Sequence, residues 1–474
     1  MEHVERLNPQ EWLFLQMTPK GVRWYSIVCG FAASPTDGPH PELEDLRRLA
    51  ASRIHFAPPR FRQKVVPTPL GVAPPAWVDD ADFTIADHVR DAGLPESATR
   101  QDFLDFCAYL ASAPIDMTHS PWDCHLAPQL ADGTTGFVIR GHHCMLDGAN
   151  MLSFVAMFGD VAAEPTTPGP PEPWQPRPEP SRWQLLRSGV DHTTRRALNP
   201  DEKRKHHFRE TAAWKQAWDS VKLTATAARD EVAPFGSRTV FNRQPGAERA
   251  LETVRTSMST LKSIAHTYGA KLNDVAVAVI AEALDRFYAK VGRRPPKHLK
   301  LLIPISYEPR GDETGTAPAG EHVAFMNVVL PLGTMEFSER VRKVAAQTSD
   351  HVERGIPEHL DHLMVTLGRD SDLLYRLAQR VVQSPASANL TLSNVRGPNF
   401  PIYLRGARVT ELYPVIPLGP HHSLAVGVLS LEDRLFFATI RSPQPDHALA
   451  PFDECLREAV GVVEAAERSL MPDV

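Results

Sequence analysis

The most constraining feature of the chain is a run of 17 residues, Glu164 to Pro180 (EPTTPGPPEPWQPRPEP), that carries eight prolines. Proline lacks an amide donor and fixes φ at about −65°, so neither a helix interior nor a central strand passes through such a run. It reads as an extended crossover of polyproline type, with a disordered loop as the alternative. Either way it divides the chain. At 474 residues the chain exceeds what one hydrophobic core usually serves, so two domains are expected. We place them at 1–163 and 236–474, joined by 164–235, in which the Pro-rich run is followed by a basic helical linker.

That linker begins with Ser181 to Arg209, which holds eight Lys or Arg against three Asp or Glu, together with Trp183, Leu185 and Leu186. A solvated helix packed on one apolar stripe is the simpler account, and contact with an anionic membrane surface or a nucleotide phosphate is the sharper one. Further on, Leu261, Ile264, Ala265 and Tyr268 recur at the spacing of one helix face, as do Leu284, Phe287, Tyr288 and Val291 ahead of Gly292 and Pro295-Pro296. Apolar strands follow at 299–306, 323–332 and 389–394. SLAVGVLS and RLFFATI, flanking Glu432-Asp433, read as a β-hairpin. Helices and strands alternate in both halves, so the fold class is α/β or α+β.

Charge narrows the function. Lys plus Arg number 51 and Asp plus Glu 57, a formal net charge of −6, whereas a nucleic-acid binder carries a basic surplus. No run approaches the ~18 apolar residues of a membrane span. The opening MEHVERLNPQEW lacks the pattern of a secretory signal. Five cysteines, odd in number and without a C-x-x-C pair, suit reduced thiols. A cytoplasmic protein is expected.

The chemistry concentrates in TTGFVIRGHHCMLDGANMLSFVAMF. An apolar strand ends at Gly141, and His142-His143 follow where side chains face a cleft. Asp147-Gly148 open a helix whose Met151, Leu152, Val155 and Phe158 face a core; Gly148 permits close backbone approach, and the Asp147 carboxylate favours a helix start. The group admits four accounts. A histidine at a strand end suits a general base. A metal site could draw on His142, His143, Cys144 and Asp147, although neighbours on a strand point to opposite faces. A Cys144 nucleophile needs a lowered pKa that nothing nearby supplies. A buried histidine satisfied by backbone groups is the bland option.

The grouping H-H-x-x-x-D-G resembles the signature of the superfamily containing chloramphenicol acetyltransferase, carnitine acyltransferases and nonribosomal-peptide condensation domains. The whole chain, from about Leu7 to Ile440, resembles the bacterial wax ester synthase/diacylglycerol acyltransferase family. The resemblance is carried by the opening LNPQEWLFL, by Trp77-Val78-Asp79 through Phe83 to His88-Val89, and by Ser120-Pro121-Trp122-Asp123. Further on it is carried by Asn273-Asp274-Val275, by Ile303-Pro304-Ile305-Ser306, with Arg310 near a family arginine but displaced from it, and by Ser393-Asn394-Val395-Arg396-Gly397-Pro398. The chain departs from the family pattern at Gln10-Glu11, in the Pro-Trp-Asp segment, at Arg396 and at His421-His422.

The resemblance implies two chloramphenicol acetyltransferase-like lobes, each a mixed β-sheet flanked by helices, with an active-site tunnel between them. It implies His143 as general base, His142 in support, and Asp147 as structural organiser beside Gly148. Asn273, Asp274, Ser393 and Asn394 would lie near substrate, although helix capping explains the first pair equally well and a turn after a strand explains Asn394. Trp77 and Trp122 read as core, and His421-His422 as a polar loop. The activity implied is acyl-CoA-dependent O-acylation of a lipid alcohol, diacylglycerol or a fatty alcohol. Acyl-CoA serves as co-substrate, with no further cofactor and no metal, and the lipid is met peripherally at the inner membrane or a lipid droplet. Two rivals stand beside it: acylation of a specialised-metabolite alcohol or amine, with a carrier-protein-bound donor, and a non-catalytic lipid-binding protein.

Overall fold

The computed structural model describes residues 4–17, 22–33, 40–146, 151–198, 234–307, 322–356, 384–444 and 446–470. The N-terminal half runs through α1 (Pro9–Met17), β1 (Tyr25–Ala32), α2 (Leu43–Arg53), β2 (Gln63–Val66), β3 (Ala76–Asp79), α3 (Ile85–His88) and β4 (Val89–Asp91). It continues with α4 (Arg100–Leu110), β5 (Trp122–Ala127), β6 (Thr135–His142), α5 (Met151–Phe158) and, past the Pro-rich run, α6 (Arg182–Leu198). The C-terminal half holds β7 (Ala250–Ser257), α7 (Met258–Thr267), α8 (Leu272–Lys290), β8 (Lys300–Tyr307), β9 (His322–Val329) and α9 (Phe337–Glu353). It closes with β10 (Leu390–Val395), β11 (Tyr403–Leu404), β12 (Ala407–Val415), β13 (Leu424–Leu431), β14 (Arg434–Arg441) and α10 (Pro451–Leu470).

These strands form two six-stranded sheets, ordered β11-β12-β1-β6-β5-β4 and β7-β14-β13-β10-β8-β9, plus a β2–β3 ribbon. Both large sheets are mixed: β4 runs parallel to β5, and β10 runs parallel to β8 and β13. The two-lobed α/β arrangement expected from the sequence is the one observed. The hydrophobic periodicities mark real faces, since Leu261, Ile264, Leu284 and Phe287 are all buried in the second lobe's core.

The sheets do not respect the division of the chain at 163 and 236. Strands β11 and β12 lie within 236–474, yet they complete the first sheet. There β12 pairs antiparallel with β1 from Ile27↔Val415 to Phe31↔Glu411. Without it, β1 would be an edge with its backbone groups unpaired. The sheets approach closely where β12 passes β13: a Cβ on Gly427 would lie 2.1 Å from the Pro414 carbonyl oxygen, so only glycine fits. Glu411 of β12 ties the halves together. It accepts hydrogen bonds from Arg100 of α4 (3.1 Å), Arg255 of β7 (2.7 Å) and the Tyr413 hydroxyl (2.6 Å).

The Pro-rich run is extended, as its composition requires, and strapped to the β2–β3 ribbon. Arg177 donates to Asp79 from its backbone amide and its guanidinium at 2.8–3.0 Å, and Lys64 pairs with Glu179. The Arg62 guanidinium lies 4.8 Å from the Trp174 ring, which meets Phe83 edge-on. Past the run, α6 packs on the loop between β2 and β3, where the Thr193 hydroxyl donates to the Val72 carbonyl and Arg6 binds both segments. The linker from 199 to 233 lies outside the described residues.

Candidate active site

Strand β6 sits between β1 and β5 and runs one residue further than the apolar pattern suggested. His142 is its last residue, paired with Tyr25, and its N–H donates to the Pro121 carbonyl at 2.9 Å. His143 is the first residue beyond the strand, held by an N–H bond to the Trp24 carbonyl at 2.8 Å. Consecutive residues at a strand end project to opposite sides, so the two rings diverge. The His142 ring is fully buried, edge-on to Tyr25, with its Nδ1 accepting the Cys144 N–H at 3.1 Å. Burial, with His143 adjacent, pulls its pKa down to about 3.

The His143 ring faces a cavity. It stacks on Phe14 with centroids 5.1 Å apart and meets the Trp24 ring edge-on. Its Nδ1 lies 3.1 Å from the Leu146 carbonyl oxygen. A carbonyl only accepts, so Nδ1 carries the hydrogen and Nε2 keeps the lone pair. Burial pulls the pKa down to about 4, against a smaller opposing effect of the Leu146 carbonyl, so the ring is a neutral imidazole at physiological pH. The Ser26 hydroxyl of β1 lies 3.2 Å from each ring nitrogen. No motif in the sequence marks Ser26; only the pairing of β1 with β6 brings it here.

Cys144 is buried, and burial, followed by the charge of Glu11, pushes its thiol far above the range in which a thiolate forms. Among the described residues no three His, Cys, Asp or Glu side chains are grouped to hold a metal. Asp147, Gly148 and Arg310 lie outside the described residues. The strand that delivers the histidines is anchored by Arg140, two residues before His142. Its guanidinium forms a buried two-point ion pair with Asp123 of β5 and donates to the Leu110 and Ala113 carbonyls. Burial raises the Asp123 pKa, but hydrogen bonds from His125 and Arg140 outweigh it and hold the carboxyl at about 2. The Pro-Trp-Asp segment is therefore structural, and Trp122, like Trp77, is core.

The cavity has a volume of about 1070 Å³ and is walled by both lobes. Within the first lobe it is apolar, lined by Leu46, Phe137, Ile139, Phe154, Phe158 and Leu412. On the second lobe's side it meets Asn273, Asp274, Ser393 and Asn394, so all four of these sequence-derived residues share one space with His143. Asn394 of β10 donates its amide to the Asn273 Oδ1 of α8 at 3.1 Å, a tie between elements rather than the turn expected of it. Asp274 both caps and lines. It accepts the Lys271 N–H at 2.8 Å and the Thr348 hydroxyl at 2.7 Å, so both of its oxygens are engaged.

His422 corrects the expectation of a polar loop. It is buried in the cavity wall, with Nδ1 3.1 Å from the Thr391 hydroxyl and Nε2 3.3 Å from the Ala388 carbonyl, and burial pulls its pKa down to about 4. The sequence signal for it is its position two residues before the apolar strand β13. Glu11 also lines the cavity. It accepts the Asn8 N–H while Asn8 accepts its own, a reciprocal cap on α1, and burial raises its carboxyl pKa.

This arrangement can be set beside known proteins. Residues 7–276 match the wax ester synthase/diacylglycerol acyltransferase catalytic domain, and 319–460 match the C-terminal domain of the same family. The chain belongs to that family. Its members are acyltransferases, and this protein is one of them. A Mycobacterium tuberculosis protein that carries the name diacylglycerol O-acyltransferase is 28% identical over 483 residues, covering 96% of this chain and 90% of its own. A second from that organism, named for the same activity, is 25% identical over 430 residues, covering 88% and 87%. Among solved structures, the family's wax ester synthase/diacylglycerol acyltransferase from Marinobacter aquaeolei VT8 covers 98% of this chain and 100% of its own at 20% identity, with a TM-score of 0.65. The first condensation domain of the calcium-dependent antibiotic synthetase shares the fold at a TM-score of 0.56 and 15% identity, covering 97% and 96%.

Proposed function

We propose that this family member transfers a fatty acyl group from acyl-CoA to the hydroxyl of a lipid alcohol, diacylglycerol or a fatty alcohol, with His143 as general base. The observation that carries the proposal is that the His143 ring faces the cavity with Nδ1 3.1 Å from the Leu146 carbonyl oxygen, a contact that assigns the hydrogen to Nδ1 and the basic lone pair to Nε2. In the proposed step Nε2 takes the hydroxyl proton as the oxygen attacks the thioester carbonyl carbon. The tetrahedral adduct collapses with cleavage of the C–S bond, and the departing CoA thiolate takes the proton from the imidazolium. Atoms and charge balance without a covalent enzyme intermediate and without a further cofactor. The apolar arm of the cavity suits a fatty chain.

The test is His143→Ala, assayed by acceptor-dependent thiol release. Loss of a general base lowers turnover by about 10²–10⁴-fold, with the far-UV spectrum unchanged; turnover within a few fold of the parent sinks the assignment. We also propose that the protein meets its lipid substrates peripherally at an anionic surface. No helix among the described residues is long and apolar enough to cross a membrane. Exposed Trp183 and Val190 of α6, beside exposed Leu70, supply apolar contacts for surface association.

A further inference from the structure

Two cations stand on the rim of the cavity, and among the described residues no carboxylate forms an ion pair with either. Arg396 follows the end of β10, and Lys271 immediately precedes α8; both are exposed, and both line the cavity. The hydrogen bond between Asn394 and Asn273 fixes the two segments side by side. Each cation is two residues from a member of that pair.

The turn after Arg396 has little freedom. Gly397 donates its N–H to the Ser430 hydroxyl at 3.0 Å, and a Cβ there would lie 1.8 Å from the Ser430 carbonyl oxygen. Nearby acids are already engaged. Glu432, brought beside the turn by its N–H bond to the Pro398 carbonyl, takes two 2.9 Å bonds from Arg408. Asp274 is occupied by the Lys271 amide and Thr348. Neither Arg396 nor Lys271 forms an ion pair among the described residues.

We propose that Arg396 and Lys271 form a phosphate clamp that binds the phosphate-bearing end of the acyl donor at the cavity mouth. Charge decides between the substrates. The inference rests on the acyltransferase reading above, in which the acceptor is a neutral alcohol and only the donor carries phosphates. Two rim cations without an ion-pair partner among the described residues are therefore of use to the donor. Guanidinium and ammonium groups are suited to phosphate oxygens, the first as a two-point donor and the second as a point charge. The same chemistry is presented by CoA and by a carrier-bound phosphopantetheine arm, and the experiment separates them.

The full-length protein and its Arg396→Ala, Lys271→Ala and double variants are compared in two ways. Calorimetry gives the affinity for CoA and for pantetheine, which lacks the phosphates. Thiol release gives kcat and KM for acyl-CoA, acyl-pantetheine and an acyl-carrier protein. Each single variant is expected to weaken CoA binding and raise the acyl-CoA KM about tenfold, the effect of one lost charge-assisted bond, with kcat within about twofold. Pantetheine binding and acyl-pantetheine turnover stay unchanged, and added salt weakens CoA binding to the parent but much less to the double variant.

A loss confined to the carrier-protein donor supports the clamp and identifies carrier-bound phosphopantetheine as its phosphate source. Two results overturn it: unchanged affinity for every phosphate-bearing donor, or equal losses with and without phosphates. CoA affinity is read without turnover. A parent that binds CoA in a clamp-dependent way yet acylates no lipid alcohol therefore fails the functional reading and upholds the clamp.

Discussion

His143 is unusual for a histidine assigned proton transfer, because burial pulls its pKa down to about 4. A free imidazole titrates at about 6.5, so an ordinary histidine base would lose activity as the pH falls through that value. Here the ring stays unprotonated through the mildly acidic range. The expected kcat/KM profile is level from about pH 8 to pH 5 and falls only as the pH approaches 4; an acid limb near 6.5 would contradict the buried environment. Stability has its own pH dependence. His142, His143 and His422 have folded pKa values of about 3, 4 and 4, below the unfolded value, so the unfolded chain binds more protons in between. Their contribution is present above about pH 6.5 and is lost as the pH falls towards 4. Circular dichroism at each pH separates the two effects. At this scale the motif H-H-x-x-x-D-G points to His143, and the structure sets that ring against the cavity; the role of the ring is what the pH profile tests. The sequence was silent where geometry does the selecting. Ser26 reaches the ring only through the β1–β6 register, and His422 enters the wall because Ala388 and Thr391 satisfy a buried imidazole.

Among the elements, β6 delivers His143 to the cavity, and its register rests on the buried Arg140–Asp123 pair. Removing one partner leaves a charge in the interior without compensation, a loss of about 3–5 kcal/mol. Asp123→Ala should lower the denaturation midpoint accordingly, with most of the loss recovered in an Asp123→Ala, Arg140→Met double variant that removes both charges. A single-variant loss below about 1 kcal/mol in urea melts would show that the pair does not hold the strand. Helix and strand identities were legible because amphipathic spacing and turn residues are local signals. The hairpin around Glu432-Asp433 and the helix ended by Gly292 appear where the pattern put them. The placement of β12 was not legible. Its alternation states that one face is buried, not which sheet receives it, and the pairing with β1 joins residues nearly 400 positions apart, as with Cys29↔Tyr413.

For the whole molecule, the Pro-rich run announced a division but not its topology: the strap crosses one way, and β12 returns to complete the first sheet. The run's exit also sets α6 on the surface. Trp183 and Val190 lie seven residues apart on one helix face, and both are exposed, as is Leu70 on the loop that α6 packs against. Leu70 holds a left-handed φ of 59°, unfavourable for a branched residue and retained at an exposed position where no folded-state packing compensates. Arg182, Arg187 and Arg195 are exposed on the same helix. Apolar side chains interleaved with arginines suit the boundary of an anionic lipid layer, each cation near the surface contributing about 1 kcal/mol. Trp183→Ser with Leu70→Ser should reduce sedimentation with phosphatidylserine-containing vesicles at least tenfold and lower turnover of vesicle-borne diacylglycerol. Turnover of a short, water-soluble alcohol should stay at the parent level, because the cavity and His143 are untouched. If both acceptors lose turnover equally, the patch serves the fold rather than the lipid surface; if vesicle sedimentation is unchanged, the protein meets its substrates by another face.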